Sequence, residues 1–232
     1  MLNLILQRFV PLLTTLAMLL NSFGLGVVIP YNPERTEIVV SGNVTTDVDE
    51  ILDDYNSAVK KTGMVIGKTS TDIIGTPSVS GDGSAIDIAS FLTALEDAET
   101  YIFKVPGNGE ILKSDVKSAK MSVKDGKKTI VIKIKDIKRT GTANDALSRA
   151  YGWTSTFDEA FSTLGMTVVS GDVTESYYDC VITCVIDEKS GKIIYGDWDA
   201  TSEIVANDLC IRMFGIEVTM DMEYTAIAYI DI

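Results

Sequence analysis

The 33 Asp and Glu residues recur in pairs: Asp47 with Asp49 and Glu50, Asp53 with Asp54, Asp158 with Glu159, Asp197 with Asp199, and Asp221 with Glu223. Two carboxyls flanking a bond are the machinery of glycoside hydrolysis. Carboxylates joined by backbone oxygens bind calcium, but no D-x-[DN]-x-[DN]-G loop is present. Most of these pairs fall at helix starts or on the polar face of strands, where acidic groups are solvated charge. Asp208 stands apart. The strand register derived below puts it on an apolar face opposite Met220, where a carboxylate needs a partner or its pKa rises. A β-bulge turning it outward is the plain alternative.

Aromatic residues form a second candidate set. Tyr177, Tyr178 and Tyr195 with Trp153 and Trp198 supply the rigid contact area of a sugar or peptide platform; the alternative is cross-strand pairing on a sheet. Met213 and Phe214 fall in an expected turn between two long strands. Turns are usually polar and on the surface, so this pair is expected to touch a bilayer, a partner or another part of the chain.

Thiol chemistry is disfavoured. Cys180, Cys184 and Cys210 lack C-x-x-C spacing, and the chain has 0 His. That removes Ser-His-Asp and Cys-His catalysis, as well as His-containing zinc and haem sites. No basic cluster lowers a cysteine pKa, so buried core thiols are expected. Cys180 and Cys184 would lie about 13 Å apart along one strand, beyond the roughly 7 Å a disulfide spans. Neither a metal nor a cofactor is expected. Lys and Arg total 20, giving a net charge of −13, which disfavours nucleic acid as a partner.

The elements that must position these groups are legible in several places. Asp47 caps a helix with Glu50 three residues on, and Val48, Ile51, Leu52, Tyr55, Ala58 and Val59 form its apolar stripe. Lys60, Lys61 and Gly63 suit its end. Met64–Ile74 reads as a strand. Ser84 caps a second expected helix carrying Ile88, Phe91, Leu92 and Leu95, and residues 101–105 read as a short strand. Asp125-Gly126 predicts a type I′ hairpin pairing Met121 with Ile130 and Ala119 with Ile132. Residues 142–164 read as two short helices, capped by Thr142 and Thr156. From Tyr177 onward three long strands alternate, with Cys180, Ile182, Cys184 and Ile186, then Ile194, Trp198 and Ala200, on one face. From Ile216 to Ile230 every even residue is apolar or small, the signature of a half-buried strand. Loops at Lys189-Ser190-Gly191 and Met213-Phe214-Gly215 would keep even residues facing even. That register sets Ile204 near Tyr224, Ala206 near Met222 and Cys210 near Val218, with Gly196 easing a bend.

The segments Asp49-Glu50-Ile51-Leu52 with Tyr55-Asn56-Ser57-Ala58-Val59, Phe103-Lys104-Val105-Pro106-Gly107 and Asp115-Val116-Lys117-Ser118-Ala119 resemble a group of uncharacterised secreted or surface proteins of gut Firmicutes. The resemblance covers roughly residues 47–230 and brings no catalytic residues with it. By element order alone, the chain is also similar in fold to LolA-like and LppX-like lipoprotein carriers, which hold lipid in the concavity of a sheet.

The reading is an α+β protein: a long-stranded curved antiparallel sheet with helices packed on one face. Residues 1–29 are a hydrophobic signal or anchor segment or a packed helix, 30–46 a linker or edge segment, and 47–232 a single domain. The expected function is a non-enzymatic extracytoplasmic binding or interaction module, extracellular or attached to membrane or cell wall. Its expected partner is an apolar small molecule or a surface protein, with membrane association through residues 9–29. A carrier for lipid or another apolar ligand between sheet and helices, and a carboxylate-pair hydrolase, are the alternatives.

Overall fold

The computed structural model describes residues 43–81, 99–104, 110–139, 145–152, 162, 166–213 and 215–232. In chain order these form β1 (Asn43–Thr45), α1 (Val48–Thr62), β2 (Met64–Gly81), β3 (Glu99–Lys104), a 3-10 turn (Lys113–Asp115), β4 (Val116–Lys124), β5 (Lys127–Ile134), β6 (Ile137–Arg139), α2 (Ala146–Tyr151), β7 (Met166–Asp187), β8 (Lys192–Met213) and β9 (Ile216–Asp231). One sheet runs in the order β1-β4-β5-β7-β8-β9-β2-β3, with β6 also against β7. Every ladder is antiparallel, and among the described residues the sheet is open, ending on β1 and β3. The antiparallel α+β expectation therefore holds, with strands dominating and two α-helices among the described residues. The expected helices after Ser84 and Thr156 lie outside those residues.

α1 begins as its sequence requires. The Asp47 carboxylate accepts from the amides of Asp49 and Glu50, and Gly63 ends the helix at φ 74°. Ile51, Leu52, Tyr55 and Ala58 share a core with Ile130, Ile132, Ile182, Cys184 and Trp198. Trp198 Nε1 donates to Tyr55 Oη at 3.0 Å, so the buried indole N–H has its partner. α2 is capped by Asp145, which accepts from Ser148 N; Thr142, the expected cap, lies outside the described residues. Ala146, Leu147, Ala150 and Tyr151 join the same core.

Two segments act as staples. The Asn56 amide makes two 3.1 Å bonds to the backbone of Ile111. Asp115 takes a bidentate pair from Arg149 at 2.9 and 2.7 Å, tying α2 to the start of β4.

β7 and β8 have 22 residues each, about 70 Å at the usual rise, and they pass through two cores. The inner half contains the core just described. The outer half holds a second cluster: Met166, Ile204, Ala206, Leu209, Ile211, Met220 and Met222. No helix residue belongs to it among the described residues. β7 begins at Met166 rather than Tyr177, because Gly171-Asp172 interrupts the alternation without ending the strand. β2 likewise runs past Ile74 to Gly81, with its ladder shifting between Ile74 and Ser78.

The hairpin registers correct the sequence reading in a consistent way. The Asp125-Gly126 turn has φ 52° and 74° and pairs Met121 with Ile130 and Ala119 with Ile132, as its turn type demands. The other two hairpins close one residue out of the expected parity. Asp187 pairs with Lys192, and the offset is absorbed where Ile186 faces Ile193 but Val185 faces Tyr195. Ile194 is the extra residue and is 52% exposed, while Ile193 takes its place in the core. At the far tip Met213 pairs with Ile216, and Cys210 faces Thr219 rather than Val218. The offset is absorbed between Ala206 and Leu209. Leu209, not Asp208, faces Met220 and is fully buried. A Cβ at Gly196 would lie 2.4 Å from the Trp198 ring, so this glycine leaves room for the indole.

Candidate functional site

The β5–β7 ladder ends at Lys133 opposite Val181, and the β6–β7 ladder begins at Ile137 opposite Tyr177. Between them β7 carries a bulge at Asp179, whose φ of 49° lies in the left-handed region that Asp tolerates better than most residues. A cleft of about 550 Å³ opens at this break in the ladder. Tyr177, Tyr178 and Ser176 of β7 line it, together with Lys138 of β6. Asp179, Asp136 and Lys117 complete its charged rim. Lys117 and Asp136 form an exposed ion pair at 3.5 Å, a weak interaction in water.

Behind the cleft lies a buried polar cluster. Arg139, 3% exposed, grips Asp145 with two bonds of 2.8 and 3.0 Å. Its guanidinium carbon sits 5.6 Å from the Tyr177 ring centroid, within cation–π reach. Tyr177 Oη donates to Glu175 Oε2 at 2.9 Å. Burial, reinforced by Glu175, pushes the Tyr177 phenol up and Tyr224 up to about 12, so both stay neutral. Burial would raise Asp145 as well, but the Arg139 guanidinium and the Ser148 amide hold it below the usual carboxylate range. The net effect is a Tyr177 ring fixed at its hydroxyl and over its face.

Cys180, next in sequence to Asp179, belongs to the inner core. It is 1% exposed, and burial followed by Asp136 and Asp179 pushes its thiol up to about 12. That is the opposite of what a nucleophile needs. Burial raises Cys184 also, and all three cysteines are free.

The residues nominated from the sequence do not converge. Trp198 is fully buried under α1. Tyr195, three positions away and so on the other face of β8, donates to both Asp197 oxygens at 3.0 and 3.2 Å. Asp208 is exposed on its bulge with φ 48°, and its amide donates to Asp221 Oδ1 at 2.8 Å. The expected buried carboxylate opposite Met220 is therefore a surface residue. Met213 is the last residue of β8, opposite Met166 and Ile216. Phe214 and Trp153 lie outside the described residues.

Most acidic pairs are tied into local structure. Asp47 caps α1, Asp54 meets Lys128 at 2.6 Å, and Asp221 braces the β8 bulge. One carboxyl pair was not legible: Asp197 faces Asp231 across the β8–β9 ladder. Burial, then a hydrogen bond with Asp231, raises Asp197 to about 7 against the opposing Tyr195 bond. Asp231 Oδ1 is buried with no hydrogen-bond partner among the described residues. The pair does not line the cleft. Sequence reasoning also missed Arg139, Glu175, Asp136 and Asp179. Only the Tyr177-Tyr178 doublet signalled the site.

Among the described residues no three His, Cys, Asp or Glu side chains gather as a metal would require, and no helix is long and apolar enough to cross a membrane. Fold and cleft together define an open antiparallel-sheet protein with a charge-rimmed groove that Ile137, Tyr177 and Tyr178 also line. No known protein family, curated protein or solved structure matches the chain.

Proposed function

We propose that this chain is a non-enzymatic binding module acting outside the cytoplasm, and that the cleft beside Asp179 is where it holds a small ligand. The observation that carries this is the cleft itself. Its size lies within the roughly 300–1,000 Å³ of small-molecule sites, and one wall, Tyr177, is held in place by Glu175 and Arg139. The nearest thiol, Cys180, is pushed away from reactivity, which favours binding over nucleophilic chemistry. The hydrolase alternative would draw on Asp197 and Asp231, but these sit outside the cleft. The carrier alternative needs room between sheet and helix, where Trp198 and Tyr55 already meet. The proposed export rests on the hydrophobic run of residues 9–29.

A thermal-shift screen of the full chain against a chemically diverse small-molecule library tests the binding role. Ligands should raise the melting temperature of the wild-type chain and lose that effect in Tyr178→Ala. Hits that stabilise both chains equally would move the site elsewhere. Fusing residues 1–42 to a reporter active only after export tests the compartment; a silent reporter would remove it.

A further inference from the structure

Given that the cleft is the binding site, we infer that its ligand is a neutral saccharide. The rim balances its charge: it holds Lys117 and Lys138 together with Asp136 and Asp179. A strongly anionic ligand would meet two carboxylates and the field of a chain with net charge −13. A cationic one would meet two ammoniums. A neutral ligand avoids both costs.

The hydrogen-bonding inventory narrows the class further. Ammoniums only donate, carboxylates only accept, and the Ser176 and Tyr178 hydroxyls do either. Each hydroxyl of a sugar ring both donates and accepts, so one ring satisfies both kinds of group at once. An apolar ligand would cover Lys138, Asp179 and the Lys117–Asp136 pair while offering none of them a hydrogen bond, at considerable cost. Tyr177 and Tyr178 are neighbours on β7 and so point to opposite faces of the sheet; Tyr177 packs against the core, which leaves the Tyr178 ring as the surface for the C–H face of a pyranose. Asp179 adds a carboxylate on backbone fixed by the bulge.

Saturation-transfer NMR of the full chain with maltotriose, cellotriose and chitotriose, alongside trigalacturonate and triglycine, tests this. At least one neutral trisaccharide should bind, with affinity unchanged between low and high salt, because no ion pair forms with the ligand. Tyr178→Ala and Asp179→Asn should each weaken it roughly tenfold with the melting temperature preserved; Asn keeps the left-handed backbone that Asp179 uses. Binding only of trigalacturonate or triglycine, lost in the same variants, would overturn the saccharide class and leave the cleft as the site. Binding of a neutral sugar that neither variant weakens would overturn the cleft. Silence across the whole panel would overturn the saccharide inference.

Discussion

The inner half of the sheet, which shares its core with the helices, and the outer half beyond it are built from the same strands yet hold register differently. The inner half packs wide side chains: Trp198, Tyr55, Ile130, Ile132 and Ile182. From Asp197 to Ala200, β8 pairs with β9 and alternates inward and outward. The outer half packs three methionines with Ala206, Leu209, Ile204 and Ile211. Its ladders shift beside Gly171 in β7, at Asn207-Asp208 in β8 and between Ile74 and Ser78 in β2. A strand of 22 residues twists continuously, and unbroken pairing cannot keep one apolar face turned to one core over that length. Each bulge changes which parity faces inward, so a bulge is how one strand serves two cores.

The largest expected effect comes from emptying the inner half. Trp198→Ala removes a fully buried indole and leaves the Tyr55 hydroxyl without its donor. A loss of about 3–5 kcal/mol is expected, measured by chemical denaturation. Because Ile51, Tyr55, Ile130 and Ile182 all share that core, hydrogen exchange should accelerate across β5, β7 and α1 together. A loss below about 1 kcal/mol would mean that the inner core does not depend on this residue.

That contrast also explains what the sequence made legible. The inner half could be read where turn chemistry and alternation agreed: Asp125-Gly126 set one register, and Trp198 and Ala200 fell inward as their parity required, although the Asp187–Lys192 turn closed one residue off and left Ile194 outside. The outer half could not. The β8–β9 turn closes with Met213 opposite Ile216, one residue short of the expected loop, and the error passes to Cys210 and Asp208 until the bulge cancels it. Ile204–Tyr224 and Ala206–Met222, beyond the bulge, match the expected register. The candidate site was harder still. Glu175 of β7 meets Arg139 of β6, with Asp136 just before that strand, beside a break in a ladder, and no local spacing announces such a break.

Gly171→Ala should produce the next largest effect and confine it to the outer half. Gly171 sits at φ 112°, and a Cβ there would lie 2.6 Å from Leu209 Cα and 2.7 Å from Asp208 O. Both are backbone atoms, so neither can swing aside. A destabilisation of about 2–4 kcal/mol is expected. Exchange should rise in β7 from Met166 to Val173 and in its partners, while α1 and the β4–β5 hairpin stay protected. Uniform loss of protection would show that the two halves unfold as one unit.

The carboxyl pair distinguishes the halves by pH. Asp197 faces Asp231 on the inner half, on the side of the sheet away from Trp198. Tyr195 and Asp199 flank Asp197 on β8, and Lys68 occupies the register position opposite Asp231 on β2. Burial first, then Asp231, raises Asp197 from the ordinary carboxylate value to about 7. The folded state therefore holds a proton that the unfolded chain has already released between about pH 4 and 7. This group's contribution makes stability fall as pH rises through that window. Asp197→Asn should flatten that slope, leaving the variant on the order of 1 kcal/mol better placed at pH 8 than at pH 5 relative to wild type, allowing for partial exposure. Parallel stability curves for the two proteins between pH 4 and 8 would rule out a shared proton.

The smallest effect tests the bulge itself. Asp208 holds φ 48° on the surface while its amide bonds to Asp221. Glycine adopts that conformation without the Cβ cost but gives the unfolded chain more freedom, and these terms oppose each other. Asp208→Gly should therefore shift stability by no more than about 1 kcal/mol in either direction. Had Asp208 pointed into the outer core opposite Met220, the same change would open a void between methionines and cost more than about 2 kcal/mol. Asp208→Val separates the cases from the other side. A β-branched residue strains in the left-handed region and should destabilise the bulge, whereas it would improve a buried apolar position. Glycine tolerated and valine clearly destabilising is the signature of a bulge that resets the strand.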